Sequence, residues 1–170
     1  MKFIYQAILM ITVSLPAIAE NKISLPSDYK SKFTEYLSLD RTQNHNQFMR
    51  IYANELAMKG RDKDGNFLNG SKIVAEVYGV KTTPEGKVIT SRLNRRIKDK
   101  LKLLAVMEKQ KGFEANSGSV IKTGDWDFAT FKPSGKVAPK NLDSCRTCHT
   151  PLTDTDFLFS AEHLPSTITH

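Results

Sequence analysis

Apolar and polar positions alternate most cleanly in two stretches of this chain. "SKIVAEVYGV" (71–80) is β-branched and flanked by glycines, which predicts a strand. With a period of two, Ile73, Ala75 and Val77 form one apolar face, and Lys72, Val74, Glu76 and Tyr78 form a mixed one. "GDWDFATFKPSG" (124–135) sets Trp126, Phe128 and Thr130 against Asp127, Ala129 and Phe131 and then turns at Pro-Ser-Gly, a second strand. The rhythm differs elsewhere. Behind Ser27 as N-cap, Tyr29, Phe33, Tyr36 and Leu37 recur at helical spacing, which predicts a helix over 28–39. "QFMRIYANELAMK" (47–59) starts as an alternating strand and ends with helical composition, while "LKLLAVMEK" (101–109) suits helix or strand equally. "DKDGNFLNG" (62–70) and "TPEG" (83–86) are turns. Together these elements predict an α+β domain, mainly antiparallel sheet with flanking helices and a C-terminal segment of separate character.

The N-terminus obeys another rule. Lys2 precedes a largely apolar run from Phe3 to Leu15, followed by Ala17-Ile18-Ala19, the small-x-small pattern of a signal-peptidase site. This predicts a signal peptide over 1–19, cleavage between Ala19 and Glu20, export to the periplasm, and a single domain over 20–170. The run is too short for a membrane span, and no apolar run in 20–170 approaches the roughly 20 residues a membrane helix needs, so no span is expected in the mature form.

The chain's two cysteines lie together in "DSCRTCHT" (143–150), as Cys145-x-x-Cys148-His149. In an oxidising compartment two thiols could form a disulfide, but one closed over two residues is usually strained or redox-active. A thioredoxin-like site expects a strand before the motif and a long helix after it, whereas Pro151 follows here and a polar loop precedes. Zinc needs four ligands, and no second cysteine pair exists. The spacing is that of c-type haem attachment: one helical turn places both sulfurs and the imidazole on one face. Cys145 and Cys148 are therefore the expected thioether residues for one covalent haem c, and His149 the expected iron ligand. For the sixth iron position the candidates are Met49, Met58, Met107 and His45, none of them singled out.

At this point four ordered blocks matter: "FMRIYANELA" (48–57), "FLNGSKIVAEVYGV" (67–80), "TGDWDFATFKPSGK" (123–136) and "NLDSCRTCHTPLTDTDFLF" (141–159). They resemble the cytochrome P-460 family, over roughly residues 28–160. The resemblance implies a mainly antiparallel sheet, a periplasmic monohaem c centre with five-coordinate iron, and commonly a homodimer. It also implies one of two activities. Family enzymes oxidise hydroxylamine with a haem bonded to a lysine, whereas the cytochromes c′-beta lack that bond and bind gases, nitric oxide above all, beneath apolar aromatic groups. Aligned on Phe67, Gly70 and Glu76, the lysine column falls on Ala75. Lys72 should project to the opposite strand face, and Lys81 and Lys122 are further lysines that could reach in. The resemblance thus favours a binding protein for small nitrogen-oxide ligands over the enzyme and over a six-coordinate electron carrier. Ala75, Phe48, Phe67, Trp126, Phe128 and Phe131 are candidate distal or haem-contact residues, with Phe113 a further aromatic. Trp126 and Phe128 share one strand face and Phe131 takes the other, so only one set can line a pocket.

Charge changes the picture least. The chain has 25 Lys and Arg against 18 Asp and Glu, a formal +7 that becomes +6 when Lys2 leaves with the leader. Nine basic residues crowd 87–111, facing only Asp99 and Glu108. With Arg50 they suit an acidic redox partner, the haem carboxylates, or simply solvent. Export and the lack of a recognition motif argue against nucleic acid.

Overall fold

Five strands make one antiparallel sheet in sequence order in the computed structural model, which describes residues 23–166. They are β1 (Thr34–Asp40), β2 (Gln47–Ala53), β3 (Lys72–Val80), β4 (Lys98–Lys109) and β5 (Trp126–Phe131). Four short helices flank them: α1 (Tyr29–Lys32), α2 (Glu55–Met58), α3 (Phe113–Asn116) and α4 (Asp143–His149). The class is α+β. The expected signal peptide and its cleavage point lie outside the described residues. Among the described residues, no helix is long and apolar enough to cross a membrane.

The helix expected over 28–39 is corrected. It stops after one turn, and 34–40 is an edge strand paired with β2. A register shift between Glu35 and Leu37 explains the misleading spacing. The bulge lets Tyr36, Leu37 and Leu39 all pack on the same core, which mimics helical periodicity. Residues 47–59 use both halves of their mixed pattern: β2 ends at Ala53, and Asn54 caps α2 by accepting from the Ala57 amide at 3.0 Å. Residues 101–109 are strand, because β4 is hydrogen-bonded to both β3 and β5.

Both sheet faces are covered. One carries Ile51, Ile73, Met107 and Phe128, packed against Leu158, Ala161 and Leu164 from the C-terminal segment. The other carries Tyr52, Val74, Leu104, Val106 and Phe131 beneath Ile23 and Tyr29 of the N-terminal segment. Glu76 lies in that second layer, fully buried. The Tyr29 and Tyr78 hydroxyls each donate to it at 2.6 Å, Tyr52 donates at 3.3 Å, and Lys30 Nζ stands 3.1 Å away. Burial works to raise the Glu76 pKa, but the two short tyrosine bonds and Lys30 outweigh it, and the net direction is down. Burial, seconded by the Glu76 charge, pushes the Tyr52 hydroxyl up to about 12.

A depressed carboxylate contributes stability above its unfolded pKa and loses it as pH falls through the folded one. Glu76→Gln should therefore cost about 1.5–3 kcal/mol at neutral pH, the range for hydrogen bonds to a charged group. The deficit should shrink in acid. Urea unfolding of both proteins across that pH range checks it; an equal deficit at all pH values would show that the charge is immaterial.

Candidate haem site

The motif residues sit on α4, whose position is set by a side chain the sequence did not advertise. Arg146 is 6% exposed and reaches Asp127 on β5 with one guanidinium nitrogen and Asp143, at 3.0 Å, with the other. Ser119 Oγ donates to Asp143 at 2.7 Å. The Ser119 bond first, and Arg146 second, hold the Asp143 carboxyl below its usual range. The helix is thus bolted to the β5 edge of the sheet.

Beside α4 lies a cavity of about 450 Å³, lined by both cysteines and His149. Its sheet-side wall is aliphatic: Leu37 and Leu39 from β1, Met49 and Ile51 from β2, Ile73, Ala75 and Val77 from β3. Leu103, Ala105 and Met107 of β4 and Phe128 of β5 complete it, and Leu158 and Phe159 close the opposite side. Thr130 also lines it, but its hydroxyl donates to the Ala138 carbonyl at 2.9 Å.

His149 is oriented tightly. Its Nδ1 lies 2.7 Å from the Phe157 carbonyl, which can only accept, so Nδ1 carries the proton and Nε2 keeps its lone pair. The ring is flanked by Phe128 and Phe159, each with centroids 5.0 Å away. Burial pushes the imidazole pKa below its ordinary value, and the Phe157 contact offsets only part of that. A neutral imidazole with one free nitrogen is the form that ligates iron.

The Phe157 carbonyl is presented by unusual backbone. Asp156 and Phe157 have φ of +50° and +62°, a region that costs a bulky residue of order 1–3 kcal/mol. Two features hold the loop there. The Asp156 carboxylate accepts from Lys109 Nζ at 2.5 Å and from the Phe67 amide at 2.8 Å, and both charged residues are buried. Gly124, at φ +57°, leaves room for the Phe157 ring, whose edge would lie 2.8 Å from a Cβ there.

The six distal or contact candidates divide. Ala75 and Phe128 line the cavity. Phe48 does not: it packs edge-on to Tyr78 across β2 and β3, on the Glu76 side. Phe131 is buried in that same layer, as is half-buried Phe113. Phe67 and Trp126 pack against each other in the core beyond the cavity, because Phe67 is drawn under the Asp156 loop. The wall from β1 to β4 is therefore aliphatic, and of the expected aromatic residues only Phe128 lines the cavity, with Phe159 opposite. Leu37, Leu39, Leu103, Leu158 and Phe159 were missed, since a wall built by five strands is visible only once the strand order is known.

Among the possible sixth ligands, Met49 and Met107 line the cavity, whereas Met58 sits on α2 and His45 contacts Arg96 at 3.1 Å. Arg50 points away, toward Glu35 at 3.6 Å. Of the lysines weighed, Lys72 pairs with Glu108 at 2.7 Å, Lys122 donates to the Glu114 carbonyl at 3.4 Å, and Lys81 is exposed. None of these lines the cavity. Lys140, an exposed residue, does.

An apolar slot within the roughly 300–1,000 Å³ of organic-ligand pockets, with two thiols at one edge and a tautomer-fixed imidazole, suits a flat macrocycle carrying iron. Fold and site together define a haem protein of the cytochrome class. The Cytochrome P460 family model matches residues 26–160, and the chain belongs to that family. No curated protein matches the chain.

Proposed function

We propose that this chain is a periplasmic cytochrome whose single haem c, joined through Cys145 and Cys148 with His149 as its axial ligand, binds small nitrogen-oxide molecules, nitric oxide in particular. When bound, the haem would supply a redox-active iron able to take up a small ligand, with His149 and the two cysteines as the residues that would hold it. The chain's own residues determine which ligand is favoured. The wall contributed by β1 to β4 holds no hydrogen-bond donor, so a ligand needing polar stabilisation gains nothing there, and an apolar diatomic loses nothing. Proton removal from hydroxylamine needs a base. The one carboxylate on β3, Glu76, faces the other side of the sheet and is already occupied by tyrosines, which leaves Glu162 of the C-terminal segment as the carboxylate among the cavity's lining residues.

The observation that carries this reading is Ala75 in the cavity wall, at the position where the family's enzymes place the cross-linking lysine. The leader supports export, and the basic 87–111 stretch supports docking to an acidic redox partner. The family resemblance supports a homodimer. The holoprotein, matured in a bacterial periplasm, should bind nitric oxide when reduced, show no hydroxylamine turnover with an added electron acceptor, and yield a haem peptide with two protein linkages. Steady turnover, or a third linkage at Lys140, would overturn it.

A second reading has its own support. Met49 and Met107 offer two thioethers to the cavity, and either one on the iron would make an electron carrier. A high-spin ferric spectrum unchanged by Met49→Leu and Met107→Leu rules that out; a methionine-to-iron band lost in one of them establishes it.

A further inference from the structure

The two ends of the cavity differ in chemistry. At the β5 edge stands α4 with its cysteines, tied down through Arg146 and Asp127. At the β1 edge the lining is Arg41, Thr42 and Gln43, from the turn joining β1 and β2, together with Glu162 and His163. That C-terminal portion is held to β1 by the bond between the Tyr36 and Ser160 hydroxyls at 2.7 Å. β1 and β5 are the outer strands of the sheet, about 19 Å apart at four spacings of roughly 4.8 Å. In haem the two vinyl groups, to which cysteine thiols add, and the two propionates occupy opposite halves of the porphyrin. Sulfur attachment at the β5 edge therefore directs the carboxylates toward the β1 edge.

Resting on the haem reading, we propose that Arg41, with the Thr42 hydroxyl and the Gln43 amide, receives the haem carboxylates, and that Arg96 is the positioning residue that holds this turn in place. Arg41 is prepared for an anion. One guanidinium nitrogen donates to Gln47 Oε1 at 2.6 Å, and among the described residues Arg41 makes no ion pair with a carboxylate. Its backbone is clamped: Arg96 Nη1 donates to the carbonyls of Arg41 (2.9 Å), Asn44 (3.1 Å) and Gln47 (3.0 Å). Arg96 comes from the 81–97 arm between β3 and β4, which is anchored in turn where Arg95 Nε meets Asp40 Oδ2 at 3.1 Å. The rim's negative charge, Glu162, lies 3.8 Å from His163 and is not a partner of Arg41. A planar, donor-rich guanidinium held on a fixed turn at the mouth of an apolar slot is a carboxylate receptor.

The test compares matured wild-type holoprotein with Arg41→Gln, Arg41→Lys, Arg96→Gln and Arg92→Gln, the last removing an exposed cation at the tip of the arm. Covalent haem is measured by pyridine haemochrome and the ferric/ferrous equilibrium by redox titration. Haem content should be equal throughout. Loss of a cation beside the propionates favours the ferric state, so Arg41→Gln should shift the equilibrium about 3- to 10-fold toward ferric, the range for a charge-assisted contact partly screened by solvent. Arg41→Lys should restore part of the shift, Arg96→Gln should reproduce part of it, and Arg92→Gln should move it less than twofold. Equal small shifts for Arg41→Gln and Arg92→Gln would overturn the assignment while leaving the haem reading intact. A wild-type protein without covalent haem would overturn both, and the haemochrome alone reveals that case.

Discussion

Asp156→Asn should destabilise the fold by about 3–5 kcal/mol, because it strands the Lys109 ammonium in a buried position without its counter-charge. Removing the charge as well, in Lys109→Met with Asp156→Asn, should recover a large part of that loss, since the cost lies in the unpaired ion more than in the missing bond. Urea unfolding of the two single variants and the double variant measures it. A double variant as unstable as the sum of the singles would mean that the pair is not coupled. The consequence extends to the site. Asp156 also fixes the Phe67 amide, and the residue after it supplies the carbonyl that orients His149. Faster amide exchange over 152–160 in Asp156→Asn should accompany the stability loss.

Replacing both Cys145 and Cys148 with serine should abolish covalent haem: no colour should survive on a denatured chain, and its mass should be that of the polypeptide alone. Either single replacement should leave one linkage. His149→Ala should keep both linkages yet change the absorption spectrum, and added imidazole should bring the wild-type spectrum back. Full haem retention by the double serine variant through denaturation would exclude the thioether assignment.

Much of this was legible in the sequence because it is local. The two stretches with clean alternation, 71–80 and 124–135, contain the strands β3 (Lys72–Val80) and β5 (Trp126–Phe131), and the motif needs only one helical turn to bring its three side chains together. Local reading failed where the backbone leaves its regular period. The bulge near Tyr36 disguised β1 as a helix, and the residue that presents an oxygen to His149 is a phenylalanine at positive φ, which no composition rule anticipates. It was silent on long-range matters. Arg146 meets Asp127 across 19 positions, and Arg96 reaches Arg41 across 55, so neither clamp leaves a nearby pattern. Phe48 and Phe131 were reasonable pocket aromatics by residue type, but strand register sends both to the Glu76 layer.

The sheet's plain order has a consequence for assembly. Every strand pairs with its neighbours along the chain, so the scaffold can zip up by successive hairpins without threading or waiting for a distant partner. The segment bearing the thiols is synthesised after all five strands and rests on them through a helix of only seven residues, with Cys148 still open to solvent. If the proposed attachment takes place, the part to be modified is thus made after the sheet that supports it, and an attachment enzyme could reach it without undoing the strands already in place.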